Sequence, residues 1–230
     1  MEHGFSWVGV IPGLKEMPAH TATVLLVMAG LLLFALRVRR QLAAAADPTV
    51  PAANLSARNI AELIVEMISN LAQGVVGNEA GRYVPFFASL FIFILVANLA
   101  GLLPGFTPPT DNFNITFGLG VVSFLAYNYY GVRAHGFAYL KQFMGPLLLL
   151  APLMIVVEGF SHLFRPASLA IRLFGNMFAD HLLLGIFTDL TRVVVPVVFY
   201  LLGTFVSLVQ ALVFTLLTMV YVGLAISHEH

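Results

Sequence analysis

The chain has 230 residues, of which 60% are hydrophobic and only 10% are charged. Soluble domains are about 45–50% apolar and about 25% charged, so the composition excludes a water-soluble enzyme, a disordered tail and a disulfide-stapled module. Eleven basic residues balance eleven acidic ones, and there is no cysteine. A nucleic-acid partner is therefore not expected, because nothing would neutralise a phosphate backbone, and thiolate metal sites are excluded. What remains is a polytopic membrane protein, for which we expect neither a cofactor nor a metal site.

The first predicted span covers residues 19–36 and is followed at once by Arg37, Arg39 and Arg40. In a signal peptide the basic residues precede the apolar run, whereas here they follow it. We therefore expect a retained membrane helix, with the N-terminus outside and the C-terminal end of the helix in the cytoplasm.

Residues 54–73 have a different pattern, in which apolar side chains recur at helical spacing and Arg58, Glu62 and Glu66 lie between them. This pattern is typical of an amphipathic helix with too many charges to cross a bilayer. We predict a helix that lies along the membrane surface; a soluble helix packed on other subunits is the alternative.

Four further apolar segments follow. Residues 83–103 and 113–130 predict a helical hairpin, and residues 143–190 and 193–226 predict two long elements. A helix of about 34 residues is about 50 Å long, so it must tilt steeply to fit a hydrocarbon core of about 30 Å. The sequence therefore predicts an all-α polytopic protein forming one membrane domain over residues 1–230. It has about five membrane-crossing elements and one amphipathic surface helix.

Loop charges agree with this topology, because basic residues concentrate on the cytoplasmic side of membrane proteins. Lys15 and Arg192 are the two basic residues placed outside, and two more, Arg165 and Arg172, belong to neither side. The remaining seven basic residues are predicted to be cytoplasmic: Arg37, Arg39, Arg40, Arg58, Arg82, Arg133 and Lys141. The same topology places the C-terminus in the cytoplasm.

Polar side chains interrupt the apolar segment between residues 158 and 181. Charged residues inside a membrane are costly and indicate a functional site by default. At about 100° per residue, seven of these residues share a stripe about 120° wide with Arg172, whereas His181 falls on the opposite face. Pro166 is expected to bend the helix, so the angles are most reliable beyond it. The stripe consists of Glu158, Ser161, His162, Arg165, Ser168, Asn176 and Asp180.

The last helix carries a milder, uncharged stripe that includes Ser207, Gln210 and Tyr221. Two long helices with facing polar stripes could enclose a wet seam, where polar side chains are tolerated. The alternatives are structural: Arg172 could pair with Glu158 or Asp180 to lock a bundle, and Gln210 could simply join two helices by a hydrogen bond.

Three segments resemble the a subunit of F-type ATP synthases. Residues 166–179 (PASLAIRLFGNMFA) and 208–221 (LVQALVFTLLTMVY) carry the specific resemblance, and residues 98–105 (NLAGLLPG) add a moderate one. The resemblance implies a stator that conducts protons through two half-channels to and from the carboxylates of a rotating c-ring, with b-type peripheral stalk subunits as further partners. A bacterial inner membrane is the simplest location to expect. By the same resemblance Arg172 is the obligatory arginine and Gln210 the glutamine opposite it, whereas Glu158, Ser161, Ser168 and Asn176 line the aqueous paths.

One departure from that family concerns position 181, where many bacterial relatives have Glu paired with a His on the last helix. Here the two positions hold His181 and Gly203, and Asp180 is adjacent. We expect Asp180 or His181 to take over the titratable role. A secondary transporter with a buried arginine–carboxylate site is the alternative function, although no internal repeat or pair of broken helices supports it.

Overall fold

The computed structural model describes residues 16–136, except 46, 48, 49, 51, 53, 55 and 104, together with residue 139 and residues 151–190 and 194–227. The described residues form six α-helices and no strand. They are α1 (Ala19–Ala43), α2 (Ala57–Val76), α3 (Val84–Ala100), α4 (Phe113–His135), α5 (Ala151–Leu190) and α6 (Val194–Ile226). Four of them, α1, α4, α5 and α6, are long and apolar enough to cross a membrane, and α3 is a shorter apolar helix. The predicted fold class, an all-α polytopic membrane protein, is confirmed.

The first two helices differ slightly from the segments that hydropathy indicates. Helix α1 continues to Ala43, beyond the apolar run, because basic residues near a helix C-terminus interact favourably with its dipole and need not end it. Helix α2 begins at Ala57 because the Ser56 side chain accepts a hydrogen bond from the backbone N–H of Asn59, which makes Ser56 a helix N-cap.

Arg58 ties the segment between α1 and α2 to the first turn of α2. Its backbone N–H donates to the Gln41 side chain of α1, and its guanidinium donates to the Val50 carbonyl and to Glu62. The Ala52 backbone N–H also donates to Glu62. These bonds hold α2 against the end of α1.

The α3–α4 hairpin is closed by close packing and by a cap. A side chain at Gly101 would meet Pro108 at 2.3 Å, so only glycine lets the turn fold back on the end of α3. The Asn112 side chain accepts a hydrogen bond from the Asn114 N–H and caps α4. A single 3-10 turn, Pro109–Asp111, lies between these features.

Helix α5 runs for 40 residues with Pro166 inside it. A proline cannot donate to the carbonyl four residues earlier, which here belongs to His162. The Tyr127 hydroxyl of α4 donates to that carbonyl at 3.4 Å. Helix α4 can approach this closely because Gly120 faces Pro166, and a Cβ at position 120 would lie 2.6 Å from the Pro166 carbonyl oxygen.

The core lies between α3, α4, α6 and the middle of α5. Phe87, Phe91 and Ile94 of α3 are fully buried or nearly so, and the Ser123 and Thr218 hydroxyls join α4 to α6 at 2.9 Å. Large apolar side chains on the outer faces of α1, α2, α4, α5 and α6 are exposed. Such a surface suits lipid rather than water.

The two last helices are long, at 40 and 33 residues, or about 60 and 50 Å. Both exceed a hydrocarbon core of about 30 Å and must tilt or protrude. The predicted start of the fourth segment, residues 143–150, lies outside the described residues, as do Val193 and the predicted loop charges Lys15, Lys141 and Arg192.

Candidate functional site on α5 and α6

Arg172 lies near the middle of α5, and its side chain is exposed on the isolated chain. It forms no ion pair or hydrogen bond with any residue that the structure describes. Ser168 and Asn176, one turn to either side, are also exposed. Mid-span exposure on a membrane helix points a side chain at lipid or at another protein, not at bulk water.

Asn176 links this surface to α6. Its amide nitrogen donates to the Gln210 side-chain oxygen at 2.6 Å. Gln210 is itself only 4% exposed, and its amide nitrogen has no partner among the described residues. The structure therefore brings Asn176 and Gln210 together, next to Arg172 along α5.

Asp180 lies two helical turns beyond Arg172 and faces Gly203 of α6. A Cβ built at position 203 would lie 2.7 Å from an Asp180 carboxylate oxygen and 2.8 Å from the Leu102 side chain. The absence of a side chain at position 203 thus makes the space in which the carboxylate sits.

His181 turns instead toward the α3–α4 turn, where its Nδ1 lies 2.9 Å from an Asp111 carboxylate oxygen. The other Asp111 oxygen is buried without a partner among the described residues. Sequence reasoning missed Asp111, because an aspartate after two prolines is typical of a turn. A signal that could have found it is its position between two spans, opposite the polar end of α5.

A buried polar cluster continues from this turn between α3 and α6. The Thr110 hydroxyl donates to the Asn98 side-chain oxygen at 2.8 Å, and the Asn98 amide nitrogen donates to the Ser207 carbonyl at 3.4 Å. The Ser207 hydroxyl is fully buried and has no partner in the described part of the chain.

On the other side of Pro166, His162 turns to α4 rather than to Arg172. Its Nε2 lies 2.9 Å from the Asn128 side-chain oxygen, which also accepts from the Tyr139 hydroxyl at 3.2 Å. The Arg165 guanidinium lies over the Tyr221 ring of α6, 5.3 Å from its centroid. Both residues therefore lie in the seam between α4, α5 and α6.

Glu158 is half-buried and Ser161 is exposed. The Ser168 hydroxyl donates to the Arg165 carbonyl of its own helix. No described contact joins Glu158 or Asp180 to Arg172, so neither carboxylate locks the guanidinium within this chain.

The arrangement has three parts along α5. One polar group of α5, α6 and the α3–α4 turn includes Asp111, Asp180 and Ser207. A second group at the opposite end of the bundle includes Arg165 and Tyr221. The exposed guanidinium of Arg172 and the Asn176–Gln210 pair lie between them. Such a series of titratable and hydrogen-bonding groups, with the fixed charge of Arg172 between the two groups, suits the stepwise transfer of an ion.

These features define a polytopic α-helical membrane protein with polar groups buried along its two longest helices. Its sequence matches the family model described as "ATP synthase A chain" over residues 21–223, so the chain belongs to the a-subunit family of F-type ATP synthases.

Similar proteins cover almost the whole chain. It is 48% identical to "ATP synthase subunit a" of Bdellovibrio bacteriovorus, with 98% of this chain and 99% of the relative covered. It is 42% identical to the protein of the same name from Trichlorobacter lovleyi, over 92% of this chain and 87% of the relative. The match to the Geobacter sulfurreducens subunit is 44%, over 75% and 76%.

Proposed function

We propose that this chain is the proton-conducting stator of an F-type ATP synthase. It passes protons through two offset half-channels to and from the carboxylates of a rotating c-ring, and so couples ion flow to rotation and ATP synthesis. It catalyses no reaction by itself. Family membership supports this function over a secondary transporter.

The observation that carries the proposal is the exposed guanidinium of Arg172 at the middle of a membrane-spanning helix, which pairs with no described residue. An arginine at the bilayer centre costs about 2.5–3.5 kcal/mol even on the most lenient scale. No described residue compensates Arg172, which supports compensation by a group outside the chain. An ionised carboxylate on a neighbouring subunit supplies the opposite charge.

The chemistry of arginine then sets the order of events. Arg172 keeps its proton at any physiological pH, so it cannot carry protons itself. It favours the charged form of a carboxylate that approaches it. A rotor carboxylate arriving at Arg172 must therefore release its proton into one half-channel, and it must be reloaded from the other before it faces lipid. The fixed positive charge also blocks a direct leak between the two.

We assign the first half-channel to the polar groups between the α3–α4 turn and Gln210. Buried polar atoms almost always have partners, so the three buried atoms that have none among the described residues, on Asp111, Ser207 and Gln210, favour a path lined by ordered water. The other half-channel runs along Glu158, Ser161, Arg165 and Tyr221. One charge that crosses 100 mV yields about 2.3 kcal/mol, and successive protons drive the ring.

Asp180 is our choice for the titratable group that replaces the usual acidic residue. Its carboxylate occupies the space over Gly203, on the side of α6 that leads to Gln210. His181 already has Asp111 as a partner at the far end of the same path. The pair His181–Asp111 therefore forms the entrance, and Asp180 forms the relay.

The proposed surroundings follow from the same scheme. The c-ring covers the Arg172 face of α5, b-type stalk subunits hold the chain, and lipid covers the remaining apolar surface. We place the protein in a bacterial inner membrane, with the N-terminus outside and the C-terminus in the cytoplasm, as the loop charges predict.

The test is ATP-driven proton pumping in inverted membrane vesicles that contain the assembled complex. Arg172→Ala is expected to abolish pumping, whereas Ile171→Ala, which shortens an exposed apolar neighbour, is expected to preserve it. Co-purification of the other subunits shows whether the complex is assembled. Full pumping by Arg172→Ala would refute the function, and loss of assembly without any transport defect in the assembled fraction would assign Arg172 a scaffold role.

Three further variants test the relay and Gln210. Asp180→Asn is expected to reduce pumping more than His181→Gln, because it removes the carboxylate that lies against Gly203 of α6. Gln210→Leu is expected to reduce pumping only partially, since an amide orients the site without supplying its charge. Equal pumping rates for Asp180→Asn and the unmodified complex would mean that His181, and not Asp180, is the relay.

A further inference from the structure

A cavity of about 510 Å³ lies at the end of the bundle where α2, α4 and α6 end. Its walls combine the apolar side chains of Val75 and Ile226 with the rings of Tyr83 and Tyr130. The volume is within the range of about 300–1,000 Å³ that is typical of small-ligand sites. The cavity is separate from Arg172 and from the polar seam described above.

Two arginines face this cavity from different elements. Arg82 comes from the turn before α3, and Arg133 comes from the last turn of α4. Glu79 also lines the cavity, yet neither arginine forms an ion pair with a described carboxylate. The Arg133 guanidinium donates one hydrogen bond, to the Tyr129 hydroxyl at 3.3 Å. Since a guanidinium has five N–H donors, most donors of both arginines have no partner among the described residues and are available to a ligand.

The level of the cavity in the membrane indicates that its ligand comes from the lipid. Tyrosines concentrate at the level of the lipid headgroups, and here the Tyr83 and Tyr130 rings pack edge to face at 4.7 Å. Beside them, Tyr129, Val132 and Val75 expose large apolar surfaces. A ligand at this position meets cationic groups at its head and apolar groups along its side.

We propose that this cavity binds the phosphate of an anionic phospholipid, with its acyl chains along the neighbouring apolar surface. Basic pockets between membrane helices bind such headgroups, and planar guanidinium groups match phosphate oxygens with two hydrogen bonds each. The predicted topology places the site in the cytoplasmic leaflet.

A second explanation is that the two arginines stabilise the fold itself. Three helices end around the cavity, and their C-terminal carbonyl groups carry partial negative charge that basic side chains stabilise. In that case the arginines support the fold and have no preference for anionic lipid. The two explanations differ in what removing the charges does to lipid selectivity.

The experiment measures the selectivity of the assembled complex for spin-labelled phosphatidylglycerol over spin-labelled phosphatidylcholine. The double variant Arg82→Gln/Arg133→Gln is compared with Arg37→Gln/Arg40→Gln, which removes two exposed charges of α1 near the same membrane surface. We expect selectivity to fall about fivefold for each cavity arginine removed and to fall by clearly less in the control, whose side chains contribute surface charge but line no cavity. An equal fall in both pairs, or no fall in either, would overturn the proposal.

Crosslinking of the unmodified complex keeps the test decisive if the double variant fails to assemble. A photoreactive phosphatidylglycerol should label residues 75–83, 130–134 and 223–227, and labelling confined to other segments would overturn the proposal. Competition with inorganic phosphate distinguishes a lipid headgroup from a free phosphate ion as the ligand. Retained labelling in its presence supports a lipid ligand, and complete displacement by phosphate alone means a site for the free anion.

Discussion

The contact between Gly120 of α4 and Pro166 of α5 offers a sharp test of how α5 is held. A Cβ added at position 120 would lie 2.6 Å from the Pro166 carbonyl oxygen and 3.3 Å from its carbonyl carbon. Both atoms belong to the backbone, so no side chain can rotate away and α5 itself has to move. Gly118 is in the same helix, and a Cβ there would meet nothing within 4 Å.

The expected change in the free energy of unfolding follows from comparing Gly120→Ala with Gly118→Ala. Each replacement gains up to about 1 kcal/mol of helix propensity, so this contribution cancels between them. Overpacking at Gly120 costs about 1–3 kcal/mol, which is therefore the expected difference in the free energy of unfolding. For a chain of this size, each kcal/mol shifts the midpoint of thermal unfolding by about 2–4 °C.

The assay is the midpoint of thermal aggregation of the purified complex, measured by light scattering at one scan rate. We expect a lower midpoint for Gly120→Ala than for the unmodified complex, and an unchanged or higher one for Gly118→Ala. Gly120→Ala should also slow ATP-driven pumping, because it displaces α5 six residues before Arg172. Equal midpoints for the two variants would refute the claim that this close approach positions α5.

Three further predictions concern the surface helix and the core. Ser56→Ala removes the α2 N-cap and should destabilise that helix by about 1 kcal/mol, measured as faster amide exchange in its first turn. The pKa of Glu62 is lowered by the hydrogen bond from Ala52 and by Arg58; this stabilisation is present above the unfolded pKa and is lost as the pH falls through the folded pKa. Acidification below the usual glutamate pKa should therefore lower the protection of the Ala52 amide, measured as its exchange rate relative to the intrinsic rate at the same pH, and Glu62→Gln should remove that pH dependence of the protection. Ser123→Ala removes the buried hydrogen bond to Thr218 and should cost about 0.6 kcal/mol. Since the Thr218 hydroxyl also donates to the Phe214 carbonyl of its own helix, a thermal midpoint equal to that of the unmodified complex would refute a contribution from the bond between the helices.

The sequence by itself determined the helical elements and the fold class. Apolar runs of sufficient length have only one stable form in lipid, because every backbone group must be satisfied within the segment. Local chemistry also determined where helices begin, as at Ser56 and Asn112, whose side chains cap the first turn. The motifs around Arg172 and Gln210 were sufficient to indicate the family, which the matched family model confirms.

Only the tertiary structure decided which partner each polar residue of α5 faces. Helical periodicity gives the angle between two side chains on one helix, but it does not say which element lies opposite them. His162 and Asp180 share a predicted stripe with Arg172, yet His162 contacts Asn128 of α4, whereas Asp180 lies against Gly203 of α6. His181 meets Asp111, 70 residues earlier in the chain. Such pairings depend on how the helices pack around Pro166, and packing is a property of the whole bundle rather than of any one segment.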